Sequence, residues 1–282
     1  MNAWRSPTCR ACPASIAARS RTCSRRRTEA AMTAPIALVT GASSGFGHAI
    51  ALRLAERGWR VIAAARRLDR LEALAARFPG QIVPLELDVA DRAAVAAAIA
   101  ALPDDLAAIE LLVNNAGLAL GIAPAHEASL DDWQTMLEVN CLGLVAVTHA
   151  VLPGLVARNR GLVVNIGSIA ASYPYPGGNA YGATKAFVHQ FSLNLKADLL
   201  GSAVRVSCIE PGLAGGSEFS NVRFKGDDDR AAALYQGTEP LTPEDVAATV
   251  EWLTTLPPHV NINTIEMMPV CQAPSALAIR RV

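Results

Sequence analysis

Short apolar runs alternate with segments of helical period along most of the chain. Ile36–Thr40, Val61–Ala65, Ile82–Leu87, Glu110–Asn114, Gly161–Ser168 and Val204–Glu210 each read as a strand. Between them, 46–57, 67–77, 91–101, 130–157 and 180–200 predict helices. A further helix starts at Thr242, where Thr-Pro-Glu-Asp supplies an N-cap and then proline in the first turn. The strands are apolar along their whole length rather than at alternate positions, the pattern of strands buried on both faces of a parallel sheet. Such a strand-helix series with short connections predicts an α/β fold: one domain over 32–282, a doubly wound parallel sheet with helices on both faces.

Residues 1–31 stand apart, with seven Arg, the single acid Glu29 and no sustained apolar period. They read either as a disordered or spurious leader, with Met32 the start of the folded chain, or as an organelle transit peptide. Cys9-Arg-Ala-Cys12 with Cys23 lacks the second pair that would complete a zinc site, so no metal is expected.

Composition narrows the classes further. Hydrophobic residues make up 51% of the 282 and charged residues 18%, enough for a large core and too apolar for wholesale disorder. Lys+Arg and Asp+Glu balance at 25 each, so nothing global draws the chain to nucleic acid or to a membrane surface. The leader's arginines conceal a body that is net negative by about six. Cys141, Cys208 and Cys271 lie far apart in apolar runs and are expected to be buried, reduced thiols, which suits a reducing, cytoplasmic compartment. The most apolar stretch, 141–157, is interrupted by Thr148, His149 and Pro153, so no membrane span is expected.

The chemistry begins where the first strand runs into the first helix. Gly41, Gly45 and Gly47 are spaced G-x-x-x-G-x-G, and Ser43, Ser44 and Phe46 lie between them. Side-chain-free positions permit a tight turn and close approach of backbone N–H groups to a pyrophosphate, and the helix N-terminus adds positive potential. After the second strand, an NAD site places an acid on the ribose hydroxyls. Here Arg66 and Arg67 follow Ala65 instead, and guanidinium attracts the 2′-phosphate of NADP. Downstream, Tyr181 and Lys185 lie four apart on one helix face, Ser168 ends a strand, Asn114-Asn115-Ala116-Gly117 ends another, and Asn140 interrupts an apolar helix.

Together and in this order, these pieces resemble the short-chain dehydrogenase/reductase family, a Rossmann-type fold, over nearly all of 36–270. More narrowly, Asn115–Gly121, Glu210–Gly226 and Asn261–Pro269 resemble the bacterial NADP-dependent 3-hydroxy acid dehydrogenases, a group that includes serine or L-allo-threonine dehydrogenases and malonic semialdehyde reductases. The resemblance implies that Tyr181 is the general acid/base and that Lys185 holds the nicotinamide ribose. With the oxidised nicotinamide, Lys185 would lower the phenol pKa by roughly two units. It also implies that Ser168 bonds the reacting oxygen and that Asn140 positions a water leading from Lys185 to solvent. Asp88 or the Val89 backbone would meet the adenine, Asn115, Ala116 and Gly117 would line the cofactor, and Pro211–Phe219, beginning with Pro211, Gly212 and Leu213, would cover the nicotinamide. A homotetramer through the long helices and the C-terminal segment is implied as well.

A short hydroxy acid offers little apolar surface, so a cation must meet its carboxylate. Between Pro211 and Asp227 the cations are Arg223 and Lys225, and Arg223 is the candidate, unless it contacts another subunit or pairs with Asp227–Asp229, which read as a solvated loop. Two alternatives stay open: a reductase of other carbonyls such as 3-oxoacyl thioesters, and a non-catalytic NADP-binding sensor. Other chemistries fit poorly: His126-Glu127 lacks the second His of a zinc-protease helix, and Ser168 lacks the glycines of a hydrolase elbow.

Overall fold

The computed structural model describes residues 34–274, so the leader assigned to 1–31 lies outside the described residues. Seven parallel strands form one sheet in the order β3-β2-β1-β4-β5-β6-β7. In chain order they are β1 (Ile36–Thr40), β2 (Arg60–Ala65), β3 (Ile82–Glu86), β4 (Ile109–Asn114), β5 (Gly161–Ile166), β6 (Val204–Pro211) and β7 (Thr264–Met267).

The continuous apolar strands are explained by the two faces they serve. Ala37 and Val39 of β1 pack on one side with Leu111 and Val113 of β4, while Ile36 and Leu38 join Leu112 on the other. Helices α1 (Gly45–Glu56), α2 (Leu68–Ala75) and α9 (Pro243–Thr255) cover the first face through Ile50, Leu54, Leu71, Leu74, Val246 and Leu253. Helices α3 (Arg92–Ala100), α5 (Leu144–Ala157) and α6 (Asn179–Asp198) cover the second through Val95, Val147, Val151, Leu155 and Leu195. Each fully buried side chain of this kind contributes roughly 1.5–3 kcal/mol. The expected cap of α9 is present as a reciprocal box between Thr242 and Asp245.

The helix expected over 130–157 is divided. α4 (Leu130–Leu137) and α5 are separated by a π-helical turn, Glu138–Gly143, that carries Asn140. By length and composition Leu130–Ala157 is apolar enough to cross a bilayer, contrary to the expectation from its polar interruptions. Thr148 is no interruption at all: it is buried, donates to Leu144 O and accepts from Asn114 Nδ2. Val147, Val151 and Leu155 lie in the core beside the sheet.

Other differences have local causes. β5 stops at Ile166: Gly167 N still donates to Ile209 O of β6, but Ser168 then caps a 3₁₀ turn over Ile169–Ala171. β7, four residues containing Glu266, is too short and too polar to announce itself. The long connection from β6 to α9 holds two short helices, α7 (Phe219–Arg223) and α8 (Asp228–Ala233). Asp227–Asp229 is therefore not a loop: Asp227 accepts from Arg230 N, and the next two acids occupy the first turn of α8, where negative charge suits the helix dipole. Cys141 and Cys208 are buried and free, but Cys271 is exposed, since it lies past the end of β7.

The β1–α1 turn is held by backbone contact. Gly41 has φ +68°, and a Cβ built on Gly47 lands on Gly41 O and Asn115 Nδ2. Gly47→Ala should therefore cost roughly 1–3 kcal/mol through overpacking and lower Tm by several degrees in a calorimetric scan. A variant melting with the wild type would show that α1 and the Asn115 turn are not in hard contact.

Candidate active site

β1 and β4 are neighbours in the sheet although two strands separate them in the chain, so the connections leaving their C-terminal ends diverge and open a crevice. A cavity of about 800 Å³ occupies this edge. It is lined by Gly41, Ser43, Ser44, Gly45, Phe46, Arg66, Arg67, Asp88, Val89, Asn115, Ala116, Gly117, Ser168, Tyr181, Lys185, Pro211, Gly212, Leu213 and Arg223. Of the residues singled out in the sequence, Gly47 and Asn140 are not in the lining; both are buried behind it.

One end of the cavity suits a phosphate-rich ligand. Ser44 stands at the N-cap of α1 without capping it through its side chain, which leaves its hydroxyl available. Arg67 donates to Ser43 Oγ (3.1 Å) and Ser44 Oγ (2.9 Å), and the acceptor role leaves both hydroxyl hydrogens free to point at an anion. Arg66 is exposed and makes no ion pair among the described residues, whereas Arg67 also binds Glu218, which Arg70 shares. Arg70 and Arg67 hold the Glu218 carboxyl below the usual carboxylate range. Asp88 Oδ1 accepts from Ala90 N and keeps the turn after β3 closed, with Val89 buried beneath it. Two guanidinium groups, two hydroxyls and a helix N-terminus in one pocket fit a dinucleotide that carries an extra phosphate.

The opposite end carries the reactive groups. Tyr181 lies in the first turn of α6 and is 8% exposed. Burial pushes its phenol up to about 12, while the Ser168 hydroxyl and the Arg223 guanidinium pull the other way. The lowering implied by the resemblance calls for Lys185 together with the oxidised nicotinamide; within the chain alone, burial outweighs the groups that lower it. Lys185, one turn further on, is 7% exposed, and burial brings its ammonium down to about 8. Its Nζ donates to Ile166 O at 2.8 Å.

Asn140 acts as a clamp. Its Oδ1 accepts from Leu118 N, and its Nδ2 donates to Leu118 O and Thr184 Oγ1. Both amide hydrogens are thus engaged within the protein, which leaves the second lone pair of Oδ1 and the main-chain carbonyl as acceptors for a water. Asn115 Nδ2 donates to Thr40 O, closing the cofactor side of β1 against β4.

Arg223 does not pair with Asp227–Asp229. Its Nη2 donates to Tyr175 Oη (2.8 Å), its Nε donates to Gly121 O, and Cζ lies 5.7 Å from the Tyr181 ring centroid. The other cation of this segment, Lys225, is tied to Asp132.

Several residues in or behind the lining escaped the sequence reading. Thr40 Oγ1 accepts from both Asn115 N and Ala116 N, and a lone Thr ending an apolar strand was its only signal. Gln272 Oε1 accepts from Leu213 N across 59 residues, and nothing local marks it. Tyr175 was equally silent, although Tyr-Pro-Tyr-Pro over 173–176 marks a rigid aromatic turn; Glu218 belongs to the Pro211–Phe219 segment expected over the nicotinamide and turns instead to Arg67 and Arg70.

With that geometry in hand, known proteins supply the context. The profile of the short chain dehydrogenase family matches residues 35–226. An NADP-dependent 3-hydroxy acid dehydrogenase of Salmonella typhi is 58% identical over 246 residues, 87% of this chain and 99% of that one. A serine 3-dehydrogenase of Agrobacterium fabrum is 49% identical over 244 residues, 86% of this chain and 97% of that one. Among solved structures, the closed form of a serine dehydrogenase complexed with NADP+ superposes with a TM-score of 0.87 at 57% identity, covering 88% of this chain and all of that one. The chain belongs to the short-chain dehydrogenase family.

Proposed function

We propose that the protein is an NADP-dependent dehydrogenase that transfers a hydride between NADP(H) and short 3-hydroxy acids or their 3-oxo counterparts, of the serine, allo-threonine and 3-hydroxypropionate type. The observation that carries this reading is Arg223, a cation without a carboxylate partner among the described residues, aimed at the Tyr181 ring inside the cavity. An anionic substrate placed with its hydroxyl between Ser168 and Tyr181 meets that guanidinium, and a neutral 3-oxoacyl thioester has less use for it. The names of the relatives point the same way, and the intact Ser168, Tyr181 and Lys185 set speaks against a mere sensor.

Ser43, Ser44, Gly45 and the α1 N-terminus would hold the pyrophosphate of NADP, and Arg66 with Arg67 its 2′-phosphate. The cofactor supplies the hydride chemistry when bound. Ser168 orients the reacting oxygen, and Tyr181 gives up its proton in reduction or takes one in oxidation. Lys185 holds the ribose and keeps positive charge near the phenol. Leu137, Leu142, Val156 and Phe187 leave an exposed apolar face on the α4–α5 run and α6, which supports a homotetramer. The free, buried thiols of Cys141 and Cys208 suit the cytoplasm.

Tyr181→Phe should lower turnover at least about 100-fold while NADPH affinity, read by fluorescence titration, stays within about twofold. Retention of more than a tenth of the activity would remove Tyr181 from the proton-transfer role.

The two arginines should separate. Arg66→Ala should weaken NADP binding about tenfold or more and leave NAD binding unchanged in calorimetric titrations. Arg67→Ala should weaken both nucleotides, because Arg67 also orders Ser43, Ser44 and Glu218. The reverse pattern would transfer the selectivity to Arg67.

Arg223→Ala should raise KM for 3-hydroxy acids about 10- to 100-fold and spare a neutral alcohol or aldehyde, since one charge-assisted hydrogen bond is lost. A uniform loss across charged and neutral substrates would assign Arg223 to loop structure alone.

A further inference from the structure

Tyr181, Lys185 and His189 are spaced four apart on α6 and so form one stripe along the helix. The first two reach the cavity, and His189 does not. Its Nδ1 lies 2.6 Å from Oε1 of Glu210, a β6 residue only 2% exposed. Cys208 Sγ donates weakly to the same carboxylate oxygen at 3.7 Å.

The position of Glu210 relative to the reactive set can be read from Gly167. A Cβ at Gly167 would lie 2.8 Å from Cys208 Sγ and 3.0 Å from Glu210 Cγ. These two side chains therefore press against the backbone that joins Ile166, the acceptor for Lys185 Nζ, to Ser168. Glycine is needed there because the carboxylate stem fills the space of a side chain.

A buried carboxylate costs several kcal/mol unless it is compensated. An imidazole donating Nδ1–H satisfies one lone pair and, when neutral, cancels no charge. The groups acting on Lys185 are Cys208 and Glu210 from β6 and Cys141 from the π turn. Burial pushes the Cys208 and Cys141 thiols up, to about 12 and about 11, so both stay neutral through the working range. Glu210 itself faces His189 on α6, Cys208 on its own strand and Tyr173, whose hydroxyl donates to Glu266 on β7. The carboxylate of Glu210 is thus the negative charge set against the buried ammonium.

We propose that Glu210, anchored by His189, is a positioning residue for Lys185: its carboxylate, packed under the Ile166–Ser168 turn, keeps the ammonium charged and seated on Ile166 O. The proposal rests on the reading of Lys185 as part of the catalytic set, but it can be tested without any turnover.

The chain has three lysines, Lys185, Lys196 and Lys225, so protein labelled at lysine Cε gives a small, assignable NMR spectrum. In the wild type without added nucleotide, the Lys185 signal, identified by its loss in Lys185→Arg, should titrate near 8. In Glu210→Gln the midpoint should fall by about one pH unit, a tenfold loss of proton affinity, and Glu210→Asp should restore most of it. His189→Leu removes the ring that anchors the carboxylate under the turn, so the same signal should move in the same direction. With NADPH and a 3-oxo acid, the alkaline limb of the kcat profile should shift down in parallel. An unmoved Lys185 midpoint in whichever of Glu210→Gln and His189→Leu folds overturns the proposal, and a uniform drop in kcat with an unshifted profile does so as well. A moved midpoint in a protein that turns over no hydroxy acid would leave the coupling standing and reject the functional reading instead.

Discussion

Withdrawing an ammonium from water costs several kcal/mol, and Lys185 stands 7% exposed where β5, β6 and α6 meet. The fold offsets that cost with the Ile166 carbonyl at 2.8 Å and the Tyr181 ring face at 5.8 Å, on a background of buried polar groups. Because Ile166 ends β5 and Lys185 belongs to α6, this one bond sets how far along the sheet the helix lies. Tyr181, a turn earlier on the helix, and Ser168, two residues beyond the strand, take their places from it. Asn140 braces the other side by bonding Thr184, the neighbour of Lys185, from within the π turn.

The same burial moves the two titratable groups towards their neutral forms, Tyr181 up to about 12 and Lys185 down to about 8. Arg223, from the segment between β6 and α9, sets positive charge beside that phenol and opposes the shift. That segment also sends Glu218 to Arg67 and Arg70 at the far end of the cavity. Five residues of chain therefore connect the place where a 2′-phosphate would compete for Arg67 with the place where a carboxylate would meet Arg223.

Local physics accounts for what was legible in the residues. Strands apolar on both faces, as in Ala37 and Val39 against Leu38, have no stable home except a covered parallel sheet. The glycine turn after β1, the Tyr181–Lys185 spacing and Thr242 with Asp245 are all defined within a few residues, so spacing alone exposes them. Arg66 and Arg67 likewise follow β2 directly. The sequence by itself therefore determined six of the seven strands, the class of sheet they form and the motifs that line its crevice.

The tertiary structure decided whatever depends on partners far apart in the chain. That Arg223 turns to Tyr175 and Tyr181 while Lys225 goes to Asp132 follows from how α7 packs against the Gly121 turn, about 100 residues away. The π turn at Asn140 arises because its amide is captured by Leu118 and Thr184, and no propensity encodes that choice. Glu210 looks like one more residue of a buried strand until Gly167 and His189 close around it. The sign of the Tyr181 shift belongs here too, because desolvation is a property of the assembled core and a motif carries no measure of it.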